Sequence, residues 1–99
     1  MIDLHHLETF RVVALTLNFT KAAVIQGYSQ SSVTTHIKAL ENEFGATLLT
    51  RKRFSKSIVL TEAGKRALDY AQRLLGIAHE AVSVSRQTST GNARRLKNT

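Results

Sequence analysis

The chain contains no cysteine, no proline and no tryptophan. Without cysteine, disulfides and thiolate metal sites are excluded, a composition compatible with a reducing cytoplasm. Without proline, no residue forces a helix to stop, so helices can run long. Glycine occurs only at positions 27, 45, 64, 76 and 91, and aromatic residues make up 6% of the chain. Few breakers and few aromatics beside abundant Ala and Leu favour a mostly helical domain. No apolar run approaches the length of a spanning helix, and the N-terminus lacks a basic segment followed by an apolar one; a soluble, non-exported, cytoplasmic protein is expected. There is no Ser, His and Asp arrangement, no carboxylate pair and no phosphate-cradling Gly loop, so no enzymatic activity, cofactor or metal is expected. His5 and His6 are adjacent, diverge by about 100° on a helix and cannot act as an i, i+4 metal pair.

Acidic residues are also scarce: 7 Asp and Glu stand against 14 Lys and Arg, for a net charge of +7. The isoelectric point near 10.4 points to a polyanionic partner, nucleic acid ahead of an acidic membrane surface. With 99 residues, one small domain fits and no second core.

The most informative stretch is 20–44, TKAAVIQGYSQSSVTTHIKALENEF, which reads as two short helices joined at Gly27-Tyr28-Ser29. Val33, Ile37, Leu40 and Phe44 recur at spacings of four, three and four, a narrow helical stripe facing a core. The opposite side carries Ser31, Thr35, Lys38 and Asn42, flanked by Gln30, Ser32 and Thr34. Short hydroxyls and amides let a helix approach the major-groove floor closely and hydrogen-bond base edges and phosphates. A solvated face is the bland alternative, but the first two turns after Gly27 hold no acid, and Glu41 and Glu43 come only at the far end. His36 reads as a groove-flanking residue. Before this helix, Thr20, Asn18 and the small pair Ala22-Ala23 suit the first helix of a helix-turn-helix, from about residue 20 to 26.

Residues 2–17 form a scaffold helix, with Asp3 as N-cap and Ile2 and Leu7 as a hydrophobic staple. After Gly45, Leu48-Leu49 and Ile58-Val59-Leu60 pattern as a two-stranded wing, with Arg51, Lys52, Arg53 and Lys56 between them and no acid among them. That loop is either a solvated charge cluster or a phosphate and minor-groove contact. Thr61 then caps a long helix reaching about Ser85 or Ser89. Ala67, Ala71, Leu74, Ala78 and Ala81 form a heptad-like seam, and Leu68, Leu75 and Val82 a row beside it. The face is too wide for one contact: part packs on the body, and the rest is either buried in the monomer or open to a second copy. The last stretch, RQTSTGNARRLKNT, has no periodicity and reads as a disordered tail or linker fragment.

The run FTKAAVIQGYSQSSVTTHIKALENEFGATLLTR followed by VLTEAG resembles the N-terminal DNA-binding region of LysR-type transcriptional regulators over residues 3–85. The matching features are Phe-Thr, the double Ala, Ser-Gln, the Leu-Glu pair, Gly and an apolar pair ending in Arg. The resemblance implies a mainly α winged helix-turn-helix with a two-stranded wing and a long C-terminal dimerisation helix. It also implies sequence-specific binding of double-stranded promoter DNA with dyad symmetry, as a homodimer and, in a full-length protein, a tetramer. Gln30, Ser31, Thr34, Thr35 and Lys38 would then face the major groove, with Ser32 on the same helix; Thr20, Lys21 and Arg51 would hold phosphates, and Arg53 and Lys56 would lie on the wing. The expected dimer interface comprises Leu68, Ala71, Leu74, Leu75, Ala78 and Val82. Residues 1–60 would form the DNA-binding domain, 61–89 the linker helix, and 90–99 a disordered tail or the start of a further domain. Two departures stand out: Thr35 replaces a frequent basic residue, and Gln26 replaces a core Leu, so that either Val24, Ile25 or Tyr28 compensates or the domain is less stable. A basic RNA-binding protein, a pure dimerisation module and a molybdate-regulator-like winged helix are the competing readings.

Overall fold

A computed structural model describes residues 1–55 and 57–97, the last ten of these as helical backbone. Helix α1 (Leu4–Thr16) begins at Asp3, whose carboxylate accepts the His5 amide at 2.7 Å. Ile2 folds back onto the core that holds Leu7, as a staple should. Leu7, Phe10 and Val13 are fully buried, so α1 is the beam against which the other helices pack.

Helix α2 (Phe19–Gln26) is capped by Asn18, whose side chain accepts the Lys21 amide at 2.9 Å; Thr20 lies inside its first turn. Ala22 and Ala23 are buried, and their small size permits close crossing of α1 and α3. Gly27, at φ 71°, ends α2 in the left-handed region. Ser29 caps α3 (Gln30–Phe44), its hydroxyl accepting the Ser32 amide at 3.1 Å. Val33, Ile37 and Leu40 are buried and Phe44 half-buried, as their spacing requires. Gln26 is not compensated by its aliphatic neighbours: Val24 and Ile25 are 77% and 63% exposed, and the Gln26 side-chain oxygen is buried without a hydrogen-bond partner.

Strands β1 (Leu49–Arg51) and β2 (Ile58–Leu60) pair antiparallel, with Leu49 opposite Leu60 and Arg51 opposite Ile58. The first strand therefore starts one residue later than the expected Leu48-Leu49 pairing, and Arg51 belongs to a strand instead of the hairpin tip. Leu48 is instead fully buried and anchors the start of the last helix: its carbonyl accepts the Thr61 amide at 3.0 Å.

Helix α4 (Glu62–Lys97) is capped by Thr61, whose hydroxyl accepts the Gly64 amide at 2.9 Å and donates to the Thr47 carbonyl at 2.5 Å. Ala67, Ala71 and Leu75 are buried in the core shared with α1. The boundary expected at residue 60 is thus no break in the core, because α4 covers α1 as far as Leu75. Past the half-buried Ala78 the described side chains of α4 are exposed as the helix leaves the body, which gives a molecule 65 Å long and 25 by 19 Å across. The helix also runs past Ser89 through Gly91 to Lys97, in place of the expected disordered tail. Once a helix is nucleated, each further residue adds a backbone hydrogen bond, and no proline stops it here. Among the described residues, no helix is long and apolar enough to cross a membrane.

Candidate nucleic-acid interface

The outward side of α3 is a surface of short polar groups. Gln30, Ser31, Thr34, Thr35 and Lys38 are all exposed. Ser32 is half-buried and its hydroxyl accepts from Ser29, so it belongs to the helix cap more than to the open face. The Thr35 hydroxyl donates to the Ser31 carbonyl at 2.9 Å. Its proton is used within the helix, leaving an acceptor oxygen and a methyl group facing outward. The Gln30 amide donates to the Thr20 hydroxyl at 3.0 Å, which fixes the start of α3 to the first turn of α2. Thr20 and Lys21 are exposed there. The polar groups of both helices therefore share one side of the molecule.

Between α3 and the wing lies an open cleft of about 320 Å³, lined by Phe19, Gln30, Thr34, Lys38, Thr50 and Arg51 among others. Glu41 sets the wing's position at the cleft's far end. Its carboxylate accepts the Leu48 amide at 2.8 Å and the Leu49 amide at 3.4 Å, tying the end of α3 to the start of β1. Sequence reasoning treats Glu41 only as an acid kept away from the groove; a carboxylate seven residues before an apolar pair is the available signal. At the tip, Lys52, Arg53 and Phe54 are exposed, with the Arg53 guanidinium 5.0 Å from the Phe54 ring centroid. Lys56 lies outside the described residues.

His36 is not a groove-flanking residue. It points back toward α1, where its Nδ1 lies 2.8 Å from the Thr9 hydroxyl and its ring stacks at 4.7 Å on His6. Tyr28 meets it edge-on at 5.0 Å. Burial, reinforced by the neighbouring His6, lowers the His36 pKa below the ordinary imidazole value.

The second surface is on α4. Ala71 and Leu75, expected at a dimer interface, are consumed by the chain's own core, and Leu68 and Ala78 are half-buried. Leu74 and Val82 remain exposed. The open apolar seam instead runs through Tyr70, Leu74, Ile77, Ala81 and Val84, at alternating spacings of four and three. Sequence reasoning misses Tyr70, Ile77 and Val84, although their seven-residue recurrence is present. Where this flank meets the body, an apolar groove of about 370 Å³ opens between Tyr70 and Leu74 on one side and Ile2, Phe44 and Leu48 on the other.

Three helices with a tight turn before α3, closed by a two-stranded hairpin and a long helix, define a winged helix-turn-helix protein. The family model described as "Bacterial regulatory helix-turn-helix protein, lysR family" matches residues 4–65. The chain belongs to that family, one of transcriptional regulators. It is 42% identical over 86 residues to the uncharacterized HTH-type transcriptional regulator YwqM of Bacillus subtilis, an alignment covering 87% of this chain and 29% of that protein. With the HTH-type transcriptional regulator XapR of Escherichia coli it shares 39% identity over 95 residues, covering 96% of this chain and 32% of XapR. The chain thus spans about a third of the length of the curated relatives it matches. Its structure resembles that of the BenM DBD in a catB site 1 DNA complex, with TM-score 0.80 and 32% identity, covering 88% of this chain and 94% of that one. It also resembles CbnR, a LysR family transcriptional regulator, with TM-score 0.83 and 33% identity, covering 91% of this chain and 30% of that one.

Proposed function

We propose that this domain binds double-stranded DNA with sequence preference, as a homodimer, to regulate transcription in the cytoplasm, and that it catalyses no reaction. The observation that carries this reading is the polar face of α3, free of acid over its first two turns, lying on the same side as the basic wing. In it, residues 1–60, with the first part of α4 packed in their core, supply the DNA-binding unit, and the rest of α4 joins two copies. Ser31, Thr34, Thr35 and Lys38 meet the major-groove floor, with Gln30 at the edge of that face. The Thr35 methyl and acceptor oxygen suit a thymine methyl or an adenine amino group, and cannot reproduce the bidentate guanine contact of an arginine. Thr20, Lys21 and Arg51 hold phosphates at the two margins of the groove, while Arg53 reaches the backbone beyond it.

Pairing through the Tyr70, Leu74, Ile77, Ala81 and Val84 seam buries the apolar groups that the monomer leaves in water. It sets two recognition helices on one side of a two-fold axis, to which a dyad-related site corresponds. Val82 lies exposed at the edge of the same seam, and the tetramer of a longer chain would use other surfaces.

A selection from random duplexes, titrated over a range of salt and sequenced, tests the reading. Enrichment of a dyad, with affinity falling steeply as salt rises, is the expected result. Equal retention of all duplexes, or tighter binding of single-stranded RNA than of duplex, would reject it.

A further inference from the structure

The tip of the wing carries a group that phosphate binding does not use. Phe54 is 95% exposed, and its backbone sits in the left-handed region at φ 60°. Each feature is unfavourable in the free protein: a phenyl ring gains from leaving water, and a bulky residue at positive φ is strained. A turn residue such as Gly or Asn would remove both costs. The strained conformation is nevertheless held firmly on both sides. The Ser55 amide donates to the Lys52 carbonyl at 3.1 Å, the Lys52 amide to the Ser57 carbonyl at 2.7 Å, and the Ser57 amide to the Ser55 hydroxyl at 3.1 Å. The ring is therefore presented at the apex of a closed turn, with the Arg53 guanidinium against its face.

The surroundings indicate what such a ring meets. From Phe44 to Thr61 the sequence has no acidic residue, and Arg51, Lys52 and Arg53 adjoin Phe54. An apolar plate set among cations matches a ligand that offers anionic groups on either side of flat apolar faces. A stack of base pairs between two phosphate backbones has that form, and apolar wedges that enter the minor groove act by parting one base step.

We propose that Phe54 is a minor-groove wedge that leans against, and partly unstacks, a base step beneath the wing. The proposal rests on the DNA-binding function given above and adds a specificity determinant to it. Parting a step is easiest at flexible pyrimidine–purine steps, so TA or CA at the wing position is preferred although no base edge is read there. Arg53, held on the ring, follows it to the groove and neutralises the adjacent phosphates.

The experiment uses the 99-residue chain and duplexes enriched from the random pool, with 2-aminopurine placed at successive positions along the flank. The wild-type protein should raise 2-aminopurine fluorescence at a single step on each side of the dyad. Phe54→Gly should leave the fluorescence at the free-duplex level and bind duplexes with TA at that step on the order of tenfold more weakly, the worth of one aromatic–base contact. Because glycine relieves the positive φ, Phe54→Gly should melt no lower than wild type, which separates lost binding from lost folding. Wild-type binding without a fluorescence change, or Phe54→Gly matching wild type in both readouts, overturns the wedge and leaves DNA binding standing. Failure of the wild type to enrich any duplex removes both.

Discussion

Replacing Gly64 with Ala sets two physical effects against each other, and the structure decides the sign. Helix propensity favours Ala by up to about 1 kcal/mol in a helix. A Cβ at Gly64, however, would lie 2.0 Å from the Leu48 carbonyl oxygen and 3.1 Å from a Leu60 methyl. The first neighbour is backbone and cannot rotate away, so the start of α4 must retreat from the Leu48 carbonyl. That retreat pulls on the bonds from Thr61 to the Leu48 and Thr47 carbonyls, at 3.0 and 2.5 Å. Overpacking costs about 1–3 kcal/mol, and each weakened bond up to about 1 kcal/mol, so the net loss is about 2–4 kcal/mol. With a urea dependence of roughly 1.5 kcal/mol per molar for a domain this small, the midpoint should fall by about 2 M. Gly76 supplies the control, because a Cβ there meets nothing within 4 Å; Gly76→Ala should gain about 0.5–1 kcal/mol. Urea denaturation followed by circular dichroism at 222 nm, at one fixed protein concentration, reads both. If Gly64→Ala unfolds at or above the wild-type midpoint, the close approach of α4 to the Leu48 carbonyl is wrong.

Three further outcomes rest on the same packing. Gln26→Leu removes a buried amide oxygen that has no partner and should raise stability by about 1–2 kcal/mol in a thermal melt; an unchanged melt would mean that water satisfies the oxygen. His36 has a lowered pKa in the folded chain, so the unfolded chain binds more protons as pH falls through the ordinary imidazole value near 6.5. Stability is full above that pH and declines below it until the folded pKa is passed, with His6, His5, Asp3 and Tyr28 around the site; His36→Gln should flatten this part of the pH profile, and an unaltered profile would assign it to another group. Ile77→Lys, on the open seam, should yield a folded monomer in analytical ultracentrifugation, whereas Leu75→Lys should fail to fold because Leu75 lies in the core; a fully dimeric Ile77→Lys protein would place the interface elsewhere.

Much of the fold is readable because local signals agree with one another. Asp3, Ser29 and Thr61 each precede an apolar periodic run, and each caps the helix that comes next. The α3 face is readable for the same reason: Val33, Ile37 and Leu40 leave only one side for Ser31, Thr35 and Lys38. The roles of His36 and Glu41 are not: His36 bonds Thr9, 27 residues away, and Glu41 bonds the Leu48 amide only once the chain has turned at Gly45. Phe54 escapes notice because periodicity assigns meaning only inside regular elements, while its exposure and positive φ belong to a turn.

The division of α4 shows why an amphipathic pattern cannot by itself distinguish a core from an interface. Ala71 and Leu74 differ by only about 60° around the helix axis, so a helical wheel places both on one apolar face. Ala71 is buried and Leu74 exposed because the body packs on the side of α4 that carries Ala67, Ala71 and Leu75, and not on the flank that carries Tyr70, Leu74 and Ile77. Those alanines bring α4 close to α1 and turn the larger Tyr70, Leu74 and Ile77 outward along one flank. A larger residue at 71 would push α4 off α1 and rotate that flank, so a residue buried in the chain's own core fixes the geometry of the exposed seam.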